Sequence, residues 1–76
     1  MKKYFFDRVG QSCSEYDFRG HEFAEPAKAF ALAQLLALDL EVEGQEEYLG
    51  GSINVRSADG HKLFSVRICD SEAMAA

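Results

Sequence analysis

The sequence has no tryptophan, one proline and two cysteines. Cys13 and Cys69 stand far apart, without the Cys-x-x-Cys spacing of redox or zinc motifs, so two free thiols are expected rather than a disulfide. Long hydrophobic runs are also missing. The longest apolar stretch, residues 30–40, is interrupted by Gln34 and Asp39 and is too short to cross a bilayer. Behind Lys2 and Lys3 the run Tyr4-Phe5-Phe6 stops at Asp7, too little apolar chain for a signal peptide. A cytoplasmic protein without membrane contact is the expectation. Positive charge is scarce: 8 basic against 13 acidic residues give a net charge of −5. That disfavours nucleic acid as a partner, because affinity for a polyanion comes mainly from Lys and Arg neutralising phosphates. There is no glycine-rich phosphate loop, no nucleophile elbow and no His-Glu-x-x-His pair. The expectation is therefore no enzyme, no cofactor and no resident metal.

What remains is still a folding sequence. Of its 76 residues 47% are apolar, and six phenylalanines and three tyrosines exceed what a disordered chain carries. A chain this short buries only about 60% of its unfolded surface, so one thin-cored domain is expected, with a second subunit or a staple adding stability. We place that domain at residues 1–69 and read residues 70–76 as a fraying tail.

Residues 3–9 read as a strand with large side chains on both faces. After turn-forming residues at 10–14, the alternation Glu15-Tyr16-Asp17-Phe18-Arg19 predicts a second strand pairing back on the first and ended by Gly20. A helix is predicted from Pro26, a residue suited to the first helical position, to about Glu43, with Gly44 as its cap. Residues 45–52 read as an acidic loop with one irregular helical turn. Asp59-Gly60 between two alternating runs predicts a hairpin with a type I′ turn. Its register sets Val55 against Phe64, Asn54 against Ser65 and Ile53 against Val66. The expected fold is α+β: a mainly antiparallel four-stranded sheet, in the order strand, strand, helix, strand, strand, with the helix on one face. Its expected core is Phe5 or Phe6, Tyr16, Phe18, Ile53, Val55, Phe64, Val66, Ile68 and one stripe of the helix.

The helix holds more apolar surface than one sheet can cover. At about 100° per residue, Ala29, Ala33, Leu36, Ala37 and Leu40 share one side, with Phe30 at its margin. Leu32, Leu35, Leu38 and Val42 form a second group where a solvated helix would carry charge. The expectation is a docking surface for a second copy or another protein. The competing reading sinks the helix deeper into the monomer, with residues 45–49 folded over it.

Other constellations are weaker. Cys13, His21, His61 and Cys69 are zinc-type ligands, but no two form a close chelating pair. Asp7, Asp17, Glu22 and Asp59 could pair with a histidine for acid–base work, yet each has an ordinary role in a turn or at a solvated strand end. Arg56 and Arg67 share the outer face expected of the hairpin with Asn54, Ser65 and Leu63. They are the candidate nucleic-acid contact, on a face that lacks the aromatics single-stranded recognition uses.

Taken in order, Tyr4-Phe5-Phe6-Asp7, Asp17, Gly20, Glu22, the Ala-rich helix with Ala27 and Ala31, Asn54-Val55, Asp59-Gly60, Leu63 and Val66 resemble a family of short bacterial proteins of unknown function. Its members open on a Tyr-Phe-Phe-Asp-like or Tyr-Phe-Phe-His-like strand and close on an Asp-Gly hairpin. The helix here is more apolar than in that pattern, and the loop after it more acidic. The resemblance implies a small α+β fold and a bacterial cytoplasmic setting, and it implies no activity. The sequence thus favours a non-enzymatic module acting through Leu32, Leu35, Leu38 and Val42. The alternative is a small regulator that contacts nucleic acid through Arg56 and Arg67.

Overall fold

Tyr4-Phe5-Phe6 favours extended chain, and Lys2–Val9 forms the strand β1 at the middle of the sheet. The computed structural model describes residues 1–69; the expected tail at 70–76 lies outside the described residues. The further elements are β2 (Ser14–Glu15), β3 (His21–Phe23), the helix α1 (Pro26–Glu43), β4 (Ser52–Ser57) and β5 (Lys62–Arg67). All strand pairs are antiparallel, in the order β2-β1-β4-β5 with β3 also on β1, and α1 lies on one face. This is the α+β architecture expected.

Strand alternation puts Tyr4, Phe6, Ile53 and Val55 on the helix side, where they are buried together with Ile68. Against them α1 turns Ala29, Ala33, Ala37 and Leu40, and Ala29 and Ala33 are fully buried. Phe64 and Val66 pack at the margin of this core. The helix has the predicted bounds, starts on Pro26 and ends at Gly44, whose N–H donates to the carbonyls of Leu40 and Glu41.

The hairpin pairs Val55 with Phe64, Asn54 with Ser65 and Ile53 with Val66, as the alternation requires. Its turn is not type I′. Asp59 keeps a negative φ, and Gly60 alone is left-handed, at +93°. The Gly60 N–H donates to the Ser57 carbonyl at 3.0 Å and the Ser57 N–H to the His61 carbonyl at 2.8 Å, a three-residue loop closed by a glycine bulge. This loop sets Arg56 opposite Lys62, one residue out of step, and a bulge beside Val55 and Arg56 restores the register, leaving Leu63 without an opposite residue. Burial of Ile53, Val55, Phe64 and Val66 sets the register, and the bulge absorbs the mismatch.

The second strand departs from expectation. Ser14 and Glu15 pair with Val9 and Arg8, the chain then leaves the sheet, and it returns as His21–Phe23 opposite Tyr4, Lys3 and Lys2. Tyr16 and Phe18, expected in the core, are 57% and 88% exposed. The cause is Asp17. One carboxylate oxygen accepts the N–H groups of Arg19 and Gly20 at 3.0 and 3.1 Å, and the other accepts the N–H of Phe6 at 3.1 Å. A side chain that closes its own turn competes with the strand ladder and here wins.

After the helix, the loop doubles back so that Tyr48 is buried and its hydroxyl donates to Glu15 at 3.0 Å. The chain re-enters the sheet through Gly51, where a Cβ would stand 1.9 Å from the Val9 carbonyl oxygen.

Candidate functional site

The inner face of α1 is Ala29, Ala33, Ala37 and Leu40, so residues half a turn away point to solvent. Leu35, Leu38 and Val42 lie there, 59%, 52% and 79% exposed. Leu32 does not join them: it is half-buried and packs against the core beside Leu36. The loop folds onto the core through Tyr48 and Leu49 and leaves the three outward residues uncovered.

Arg56 and Arg67 take different positions. Arg67 is exposed, on a strand with only β4 beside it. Arg56 is half-buried, stacks its guanidinium 4.7 Å above the Phe5 ring centroid and donates to Asp7 through Nε at 2.7 Å and Nη2 at 3.3 Å. Nη2 also donates to the Asp17 carbonyl at 2.9 Å, and Asp7 in turn accepts the Asp17 N–H at 2.9 Å. The hydrogen bond to Asp7 outweighs partial burial and holds the Arg56 pKa above its usual value. Burial pushes the Asp17 carboxyl up, but the N–H groups of Gly20, Phe6 and Arg19, with His21 nearby, outweigh it and hold the pKa below its usual value.

Asp7 is therefore not a solvated strand end; it is 4% exposed. The sequence carried one sign of this, a carboxylate between Phe5 and Val9 on one face of an aromatic strand. Its partner could not be read, because β1 and β4 are joined only by tertiary pairing.

Beside Leu36 of the helix a half-open groove of about 380 Å³ has Phe6 on its floor and Tyr16, Phe18 and Arg19 on its rim. His21 lies in it, edge-on to Phe6 at 5.4 Å and stacked on Phe23 at 6.4 Å. At the hairpin turn, hydrogen bonds from Ser57 and His61 hold the Asp59 carboxyl far below its usual range. Among the described residues, no three of His, Cys, Asp and Glu form a cluster that could hold a metal ion. Glu22 is exposed on β3 opposite Lys3.

A family model described as a domain of unknown function, DUF6894, matches residues 3–69. The chain belongs to this family. The match runs from β1 to just past β5 and so takes in every element of the fold. The resemblance to a family of unknown function holds at that level. Comparisons with curated proteins and with solved structures gave no match. Membership brings no catalytic or binding residue to this chain. No helix among the described residues is long and apolar enough to cross a membrane.

Proposed function

We propose that this chain is a small non-enzymatic interaction module that self-associates or binds another protein through the outward face of α1. One observation carries the reading: the helix meets the sheet mainly through small side chains and leaves three large apolar ones outside. Ala29, Ala33 and Ala37 meet the sheet, while Leu35, Leu38 and Val42 lie in water. Each such side chain gains roughly 1.5–3 kcal/mol when fully buried, so a contiguous row of them favours a covering surface. The small core of a chain this size adds to that pressure.

The alternative, contact with nucleic acid through Arg56 and Arg67, has the exposure of Arg67 in its favour. The engagement of Arg56 by Asp7 and Asp17 and the net charge of −5 weigh against it.

Light scattering across a wide concentration range, with parallel capture of proteins from a native extract, tests the proposal. Association or capture that is lost in Leu35→Glu, with the fold retained, supports it. A chain that stays monomeric and retains nothing sinks it. Salt-dependent DNA or RNA binding lost in Arg67→Glu would favour the alternative.

A further inference from the structure

Lys28, Ala31, Leu35, Leu38 and Val42 are all exposed, and they recur along α1 at alternating steps of three and four residues. A strict three-four repeat is the seam by which one helix packs knobs into the holes of another. It differs from the wider stripe a helix turns to a sheet, which Ala29, Ala33, Leu36, Ala37 and Leu40 already provide.

The charges around the seam are one-sided. Lys28 is the cation of α1 and stands near its start, whereas Asp39, Glu41 and Glu43 crowd its end and Glu46 and Glu47 follow. The last turn has no basic residue to meet those carboxylates or the negative end of the helix dipole.

We infer that the face is covered by a second copy of this chain, as an antiparallel two-fold helix pair in which Lys28 of each copy meets the acidic C-terminal end of the other's helix. This rests on the proposed function and specifies its partner. With the axis between Leu36 and Ala37, Leu35 of one copy opposes Leu38 of the other and Ala31 opposes Val42. At the flanks Gln34 lies beside Glu41 of the second copy and Leu32 beside Asp39, so no carboxylate faces another. Lys28 falls level with the end of the other helix and supplies the cation that end lacks. A parallel pair would set Lys28 against Lys28 and acid against acid. The two-fold arrangement uses one self-complementary patch and stops at a dimer.

The seam covers only two heptads, too short for isolated helices to pair stably. Here the sheet already holds α1 folded, so association does not bear the cost of forming the helix.

Sedimentation equilibrium and spin-label distances test the inference. The expected species is a dimer, weakened at least a hundredfold by Leu35→Glu and about tenfold by Lys28→Glu. A mixture of Lys28→Glu with the double variant Glu41→Lys, Glu43→Lys should give a heterodimer tighter than either alone. Circular dichroism confirms that each variant folds. A nitroxide at Ala27→Cys, in a Cys13→Ser, Cys69→Ser background, should give pair distances of about 30 Å in the antiparallel dimer; a parallel dimer would give about 15 Å. The shorter distance, or no rescue on mixing, overturns the antiparallel pair and leaves the helix face as the interaction surface. A monomer that retains another protein through Leu35 likewise overturns only the inference. A dimer indifferent to Leu35→Glu, or a monomer that retains nothing, removes the proposed function too.

Discussion

Arg56 Nε lies 2.7 Å from Asp7 Oδ2 across two neighbouring strands, on the sheet face turned away from the helix. Asp7 is 6% exposed at the side chain and Arg56 28%, so both are largely withdrawn from water. The pair also holds the backbone of Asp17, from both its N–H and its carbonyl. One ion pair thus joins β1, β4 and the irregular segment between β2 and β3.

Removing one partner should cost more than removing both. Arg56→Met leaves a buried carboxylate without its cation and should lower stability by about 3 kcal/mol in urea unfolding. Asp7→Leu combined with Arg56→Met should recover part of that loss, though the Asp17 N–H then lacks its acceptor. A single variant as stable as the parent would show that the pair contributes little.

The Asp17 carboxylate stands where a paired strand's carbonyl would, and three backbone N–H groups hold its pKa down against burial. Its folded pKa lies below the unfolded value, so the unfolded chain takes up a proton first. The stabilisation is complete above the ordinary value of 3.8 and is lost as the pH falls through the lower folded value. Asp59, also shifted down, adds a loss in the same direction. Urea midpoints from pH 7 to pH 2 should fall steeply at the acid end, and Asp17→Asn should flatten the fall. Asp17→Asn should also speed exchange of the Phe6 amide; an unchanged rate would show that Asp17 does not hold that N–H.

Two glycines should respond differently to alanine. At Gly51 the Cβ would lie 1.9 Å from the Val9 carbonyl oxygen, backbone against backbone, so Gly51→Ala should cost about 3 kcal/mol or more. At Gly44 nothing lies within 4 Å, and the cost is only that of a left-handed residue, about 1 kcal/mol. Thermal unfolding of the two variants reads the contrast, and equal losses would contradict it.

The two faces of α1 should likewise separate. Ala33→Leu forces a larger side chain between helix and sheet at a fully buried position and should destabilise by about 1–3 kcal/mol. Leu35→Gln changes a residue that is 59% exposed and should alter monomer stability by no more than about 0.5 kcal/mol, while reducing association. A large loss of monomer stability in Leu35→Gln would place that leucine inside the protomer.

Local rules made α1 legible end to end, because Pro26 starts it, Gly44 ends it and a 3.6-residue repeat marks its buried side. They made the hairpin register legible too, since a two-residue alternation leaves one pairing that hides Ile53, Val55, Phe64 and Val66 together. The same alternation misled at residues 15–19. Tyr16 and Phe18 have the period of a strand, but Asp17 between them makes three hydrogen bonds to the backbone that a regular strand would forgo. The turn departs from type I′ for a related reason: Asp-Gly allows two loop geometries, and the bulge that reconciles one of them with the register involves residues beyond the turn.

Within the sequence, then, lay whatever neighbours along the chain decide: the helix, the hairpin, the surplus of apolar residues on α1 and the charge imbalance along it. Folding in space decided the rest. It placed Asp7 beside Arg56 from 49 positions away, pinned Asp17 to Phe6 and drew Leu32 out of the outward row. Side-chain period fixes which residues share a face, but which face meets water depends on elements that come together only through tertiary contact.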